Sequence, residues 1–180
     1  MRQLKVKPYR TKTYICFDGD NDMQYYNLMK AWKANNNSFF KEFNFIDAHD
    51  INTARDSSKE ESIKRQLTER IKRSKVLVVL IGQSTRHLFK FVRWEMAQAV
   101  KQGIPIIAVN LNGKKSLDTK RCPPIIRDEL VMHISFNQKI LKYALKNWPD
   151  QHKNIKASGK DEDVGPYYYQ DSIYKKLNIS

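Results

Sequence analysis

The sequence predicts an α/β protein, a doubly wound three-layer fold in which a five-stranded parallel sheet is covered by helices on both faces. Three observations lead there. Val76–Ile81 is a continuous apolar run of strand length, and Ile104–Leu111 is nearly another, a composition that suits strands buried on both sides. One helical segment, VRWEMAQAVKQG, lies between them, so the unit reads strand, helix, parallel strand. Short apolar strands and segments of helical period alternate along the rest of the chain, which requires a layered sheet with right-handed crossovers.

In chain order, Thr13–Phe17 (TYICF) is the first strand, with β-branched and aromatic content, closed by the acidic turn Asp18-Gly19-Asp20-Asn21-Asp22. Asp22 is placed to cap a helix that carries Tyr25, Leu28, Met29 and Trp32 at helical spacing. Asn35-Asn36-Asn37-Ser38 ends that helix, and Phe43–Asp47 is the second strand. Residues 48–58 are polar and aperiodic, as befits a ligand lid or partner surface. Ile63, Leu67 and Ile71 then recur every fourth residue on a second helix. After the central strand–helix–strand unit, a turn-rich stretch leads to a fifth strand at Val131–Phe136, and Ile140, Leu141, Ala144, Leu145 and Trp148 define a closing helix. This is a flavodoxin-like order of elements. We divide the chain into a basic arm (1–12), the α/β domain (13–148) and a C-terminal extension (149–180), whose Tyr167, Tyr168, Tyr169, Ile173, Tyr174 and Leu177 could form an appended helix.

With 180 residues there is room for a single core and a tail. No apolar stretch approaches membrane-spanning length, and MRQLKVKPYRTKTY has charges without an apolar signal region. Cys16 and Cys122 form neither a disulfide framework nor a metal-ligand spacing, so a reducing cytoplasm is expected. Thirty-three Lys and Arg against nineteen Asp and Glu give a formal charge of +14, which attracts nucleic acid and small phosphorylated ligands alike. Aromatic residues are mostly absorbed into helix faces rather than interleaved with the basic clusters, which makes nucleic acid the weaker expectation. His49, His87, His133 and His152 are too dispersed for a metal site, and no Gly-x-Gly-x-x-Gly or Walker loop indicates a tightly bound dinucleotide or ATP.

Two places can carry chemistry. The turn DGDND sets three carboxylates at the carboxyl end of a strand. It is not an EF-hand, because Met23 and Met29 stand where Gly and Glu are required. A haloacid-dehalogenase-like phosphatase would use Asp18 as nucleophile and Asp20 as acid/base with Mg²⁺, but Asn21-Asp22 replaces the Gly-Thr of that pattern. A phospho-acceptor receiver domain needs an Asp where Gly82-Gln83 stands. A solvated turn with a helix cap is the plain alternative. The second place is Glu95, expected in the first turn of the central helix, where the macrodipole favours a carboxylate whatever its role. Arg93 and Trp94 precede it, and the Gly82–Thr85 loop with Ser84 lies outside the same end of the sheet, where open α/β sheets bind ligands.

The run SKVLVVLIGQSTRHLFKFVRWEMAQAVKQGIPIIAVNLN, with YICF before it and FIDAHD between, resembles the bacterial TIR-like domain family, which includes the TIR-like subunit of Thoeris anti-phage systems. The resemblance spans Lys12–Trp148. It implies a flavodoxin-like TIR fold and, in active members, cleavage of NAD⁺ at the nicotinamide–ribose bond, giving ADP-ribose or a cyclic or modified ADP-ribose messenger read by an effector protein. It makes Glu95 the catalytic residue, stabilising oxocarbenium character as nicotinamide leaves. It sets Phe17, Asp18 and the loop with Asp20 along the nucleotide pocket, Trp94 in support of the glutamate, and Asp50 and Arg55 on the covering segment. NAD⁺ would be a consumed substrate with no tightly held cofactor, and assembly would run through TIR-like surfaces into homo-oligomers. Active relatives often have Ser where this chain has Cys16. A TIR-like module that binds a nucleotide or a protein without catalysis is the alternative reading; a phosphatase or a nucleic-acid-binding protein comes third.

Overall fold

A computed structural model describes residues 12–35, 44–47, 60–88, 90–159 and 165–180. The elements are β1 (Lys12–Cys16), α1 (Met23–Ala34), β2 (Asn44–Ile46), α2 (Glu60–Lys72), β3 (Ser74–Ile81), α3 (Phe91–Lys101), β4 (Ile106–Asn110), α4 (Pro124–Arg127), β5 (Val131–Ser135), α5 (Gln138–Ser158), β6 (Pro166–Tyr168) and α6 (Asp171–Lys176), with a 3-10 turn at Thr85–His87. The chain belongs to the α/β class. Its sheet has six strands in the order β2-β1-β3-β4-β5-β6, and every pairing is parallel.

The sixth strand is the first departure from expectation. Pro166–Tyr168 adds to β5 in the register Val131↔Pro166 to His133↔Tyr168. A proline can begin such an edge strand because its missing N–H is on no ladder that must continue. The extension also enters the core: Tyr174 of α6 is fully buried, and its hydroxyl accepts a hydrogen bond from the Ser135 amide at 3.3 Å. The closing helix α5 runs through Pro149 to Ser158 and ends on Gly159, which adopts φ +64°, the left-handed conformation glycine tolerates.

β3 is buried along almost its whole length, and β4 and β5 completely so, the consequence of helices on both faces. One apolar layer joins Ile15, Val78 and Val109 to α1, α5 and α6. The other joins Tyr14, Val79 and Ala108 to α2, α3 and α4. Ile63, Leu67 and Ile71 of α2 are all buried, as their spacing predicts. In α1 the expected face is rotated: Tyr26 and Met29 are buried, whereas Leu28 is 44% exposed. Phe17 stacks on Tyr26 with ring centroids 4.7 Å apart, which draws Tyr26 inward.

The two helices that follow the adjacent strands β1 and β3 leave on opposite faces, since α1 packs in the first layer and α3 in the second. That divergence opens a crevice outside the carboxyl ends of these strands. Among the described residues no helix is long and apolar enough to cross a membrane.

Candidate active site

Strand geometry sends successive side chains to opposite faces, so Tyr14 and Cys16 of β1 point into the α2–α4 layer while Ile15 and Phe17 point into the other. Glu95 reaches the Tyr14 side. It lies in the second turn of α3 rather than the first, because the helix begins at Phe91, ahead of the VRWEM segment, and its first turn has no acidic residue. Glu95 faces inward beneath the helix and is 3% exposed. Its Oε1 accepts a 2.8 Å hydrogen bond from the Tyr14 hydroxyl. The Cys16 thiol lies alongside, its Sγ 3.8 Å from the Val92 carbonyl.

Burial raises the Glu95 pKa to about 7; the Cys16 thiol and the Tyr14 hydroxyl pull it down, and the Asp47 charge pushes it up. Burial likewise raises Tyr14 and Cys16 well above their ordinary values, and the Glu95 charge adds to both. Near neutral pH this carboxyl therefore exchanges its proton while Tyr14 and Cys16 stay protonated and able to donate. Asp47 is fixed at the end of β2, where its side chain accepts from the Tyr26 hydroxyl and its carbonyl from the Arg70 guanidinium. A desolvated carboxylate with two neighbouring donors can bind a diol or a developing cation more strongly than it could in water.

The acidic turn is built differently. Asp18 is buried and holds two loops together: its carboxylate accepts from the Ser84 hydroxyl, from Asn21 Nδ2 at 2.7 Å and from the Asp20 amide at 3.0 Å. Burial alone would raise its pKa, but those hydrogen bonds leave it below the usual value. A carboxylate so occupied is a poor phosphatase nucleophile. Asp20 is exposed.

Asp22 occupies the N-cap position of α1, yet its side chain makes no capping hydrogen bond, contrary to expectation. It is 5% exposed and turned under the loop, with Oδ2 buried and unpartnered. Burial, and then the Asp18 charge, raise its pKa to about 6, while Arg121 opposes the rise. Gly82 leaves room for it: a Cβ there would stand 2.3 Å from Asp22 Oδ2. Asp22, Gly82, Ser84 and Arg121 line an open cleft of about 550 Å³ at the switch point, and Glu95 is not in its lining.

The remaining expected residues are placed as follows. Ser84 meets Asp18, as above. Phe17 packs in the layer opposite Glu95. Arg93 is exposed on α3 and borders a smaller cleft, of about 200 Å³, with Arg86 and His87. Trp94 is half-buried against the same layer as Tyr14. Asp50, Arg55 and the loop around them lie outside the described residues, as does most of the basic arm. Among the described residues no group of three or more His, Cys, Asp or Glu could hold a metal ion.

The family described as Thoeris protein ThsB, TIR-like domain, matches residues 14–116, from Tyr14 through the loop after β4, more than half of the chain. The chain belongs to this TIR-like family. The matched span carries both Tyr14 and Glu95, the switch-point loops and Asp47. The TIR-like domain is of the defence and signalling kind; α4, β5, α5, β6 and α6 of the chain lie beyond the matched span. Sequence reasoning passed over Tyr14, Asp47 and Arg121, and it read Asp22 as a helix cap. The alternation in TYICF was the available signal for Tyr14, since it sets Tyr14 and Cys16 on one face of β1. No local signal marked Asp22, whose burial depends on a glycine sixty positions away.

Proposed function

We propose that this TIR-like protein cleaves NAD⁺ at the bond between nicotinamide and ribose, with Glu95 as the catalytic residue. The reading rests on one observation above all: the carboxyl group of Glu95, held by Tyr14 on the helix that follows the switch-point strand β3, lies within the span that matches the family. When the C–N bond breaks, its electron pair leaves with neutral nicotinamide and positive charge develops on the ribose. A carboxylate set beside the ribose hydroxyls stabilises that charge. Water, or a hydroxyl of the same nucleotide, then closes on the anomeric carbon and loses a proton, giving ADP-ribose or a cyclic product that serves as a messenger for an effector protein. Tyr14 positions the carboxylate. NAD⁺ is consumed as a substrate.

The burial of Glu95 also favours a second reading, in which the carboxyl is a core group and the domain acts by binding a nucleotide or a protein partner without turnover. Chromatographic assay of free nicotinamide and ADP-ribose products after incubation of the full chain with NAD⁺ separates the two. Products from the wild type that vanish in Glu95→Gln support the enzyme. No product from the wild type, at any protein concentration, leaves the binding module.

A further inference from the structure

Outside the Glu95 cluster, the switch-point cleft brings together features that no step above uses. Its two rims are tied by the Asp18–Ser84 hydrogen bond, which joins the loop after β1 to the loop after β3. Its third side is a built turn. Asp118 is buried, its Oδ1 accepts from the amides of Lys120 at 2.9 Å and Arg121 at 3.2 Å, and its Oδ2 accepts from Asn112 Nδ2 at 2.8 Å. Asn110, fully buried at the end of β4, holds the same loop through the carbonyls of Lys114 and Ser116. Arg121 is thus presented by a fixed backbone on one side of the cleft, with Asp22 on the other.

Asp22 is the unusual member. A carboxylate more than nine-tenths buried normally has its oxygens satisfied, yet Oδ2 of this one has no hydrogen-bond partner among the described residues, and the residue is part of the cleft lining. An acceptor kept dry and unpaired is costly unless a donor from outside completes it. The rest of the lining is mostly neutral and polar, with the side chains of Asn21, Gln24 and Gln83 and one ring, Tyr25. Such walls recognise hydroxyl groups better than they recognise an apolar body. The guanidinium of Arg121 suits a phosphate, which it can meet with two parallel N–H groups.

The geometry points to a second binding site in this cleft for a small sugar phosphate or nucleoside monophosphate, with Asp22 accepting the sugar hydroxyls and Arg121 holding the phosphate. This site is distinct from the Glu95 cluster and stands whether or not NAD⁺ is turned over. Gly82 is part of it, because any side chain there would push the Asp22 carboxylate out of place.

Titration of the full chain with ribose 5-phosphate, followed by calorimetry or by amide chemical shifts, tests the proposal. Saturable binding is expected, weakened about tenfold or more by Arg121→Ala and by Asp22→Asn, as loss of a charge-assisted hydrogen bond implies. Asp22→Asn removes a buried charge without removing volume, so its melting temperature should not fall, and weakened binding then reports on recognition rather than folding. Ribose alone and inorganic phosphate alone should each bind more weakly than ribose 5-phosphate. Glu95→Gln should leave the affinity within about twofold, as expected of independent sites. The proposal is overturned if no probe binds saturably, if Arg121→Ala and Asp22→Asn bind as the wild type does, or if phosphate alone binds as tightly as ribose 5-phosphate. Loss of binding in Glu95→Gln with both other variants intact would assign the ligand to the Glu95 cluster and also overturn it.

Discussion

Tyr14 and Glu95, eighty-one positions apart in the chain, meet in a 2.8 Å hydrogen bond between the second and third layers of the fold, with both side chains out of water. The bond links β1 to α3 and supplies Glu95 with a donor inside the protein. It also sets the terms on which that carboxyl ionises.

The first prediction concerns stability against pH. Glu95 has an ordinary value of 4.5 and is raised to about 7 in the folded protein. Between those values the folded state holds a proton that the unfolded state has released, so stability falls as pH rises through this window. The full penalty, roughly 3 kcal/mol by the conversion of pKa into free energy, is present above pH 7. Glu95→Gln carries no such charge. Its melting temperature should exceed that of the wild type at pH 8, and the difference should shrink toward zero near pH 4. Equal melting curves at pH 8 would show that the carboxyl is not desolvated as described.

Removing the donor tests the other side of the pair. Tyr14→Phe leaves the ring in place and deprives a buried carboxylate of its hydrogen bond, a loss of about 1–3 kcal/mol. The loss should be full at pH 8, where Glu95 is ionised, and smaller at pH 5. Because Tyr14 holds the Glu95 pKa down, the midpoint of any pH-dependent activity should move upward in this variant. Urea unfolding at the two pH values, together with a pH–rate profile, measures both effects.

These layers were largely legible in the sequence, and the site only partly so. Unbroken apolar runs such as Val76–Ile81 have little choice but to be central strands, and Ile63, Leu67 and Ile71 share one helix face by spacing alone. Pro166–Tyr168 gave no such signal, because a three-residue edge strand next to a proline depends on the partner β5 and not on its own pattern. Glu95 could be singled out from its neighbours in VRWEM, but its depth could not. The helix starts at Phe91, and that offset decides whether the carboxylate faces solvent at a helix end or the core beneath it. Asp22 read as a cap because Asp commonly is one, whereas its burial against Gly82 is a tertiary contact.

Gly82 and Asp22 should be energetically coupled. A Cβ at position 82 would stand 2.3 Å from Asp22 Oδ2, so Gly82→Ala must displace the carboxylate, at about 1–3 kcal/mol. In Asp22→Ala the obstruction is gone, and adding Gly82→Ala to it should cost much less. A double-mutant cycle by urea unfolding measures the difference; additive effects would mean that the two residues do not touch.

The C-terminal segment should behave as part of the domain. Tyr174 is fully buried in the layer formed with α1 and α5, so Tyr174→Ala should cost about 3–5 kcal/mol, the range for deleting a large buried ring. Tyr174→Phe, which gives up only the long bond from the Ser135 amide, should cost about 1 kcal/mol. A change below about 1 kcal/mol for Tyr174→Ala would mean that the segment is loosely attached.

The most direct test of the account is the initial rate of nicotinamide release from NAD⁺, measured from pH 6 to pH 9 for the wild type and for Glu95→Gln. The account predicts a wild-type rate that rises through about pH 7 as Glu95 ionises and then levels, with Glu95→Gln folded but reduced by about a hundredfold or more, as for removal of a charge-stabilising group. A Glu95→Gln rate equal to that of the wild type across this range would contradict it.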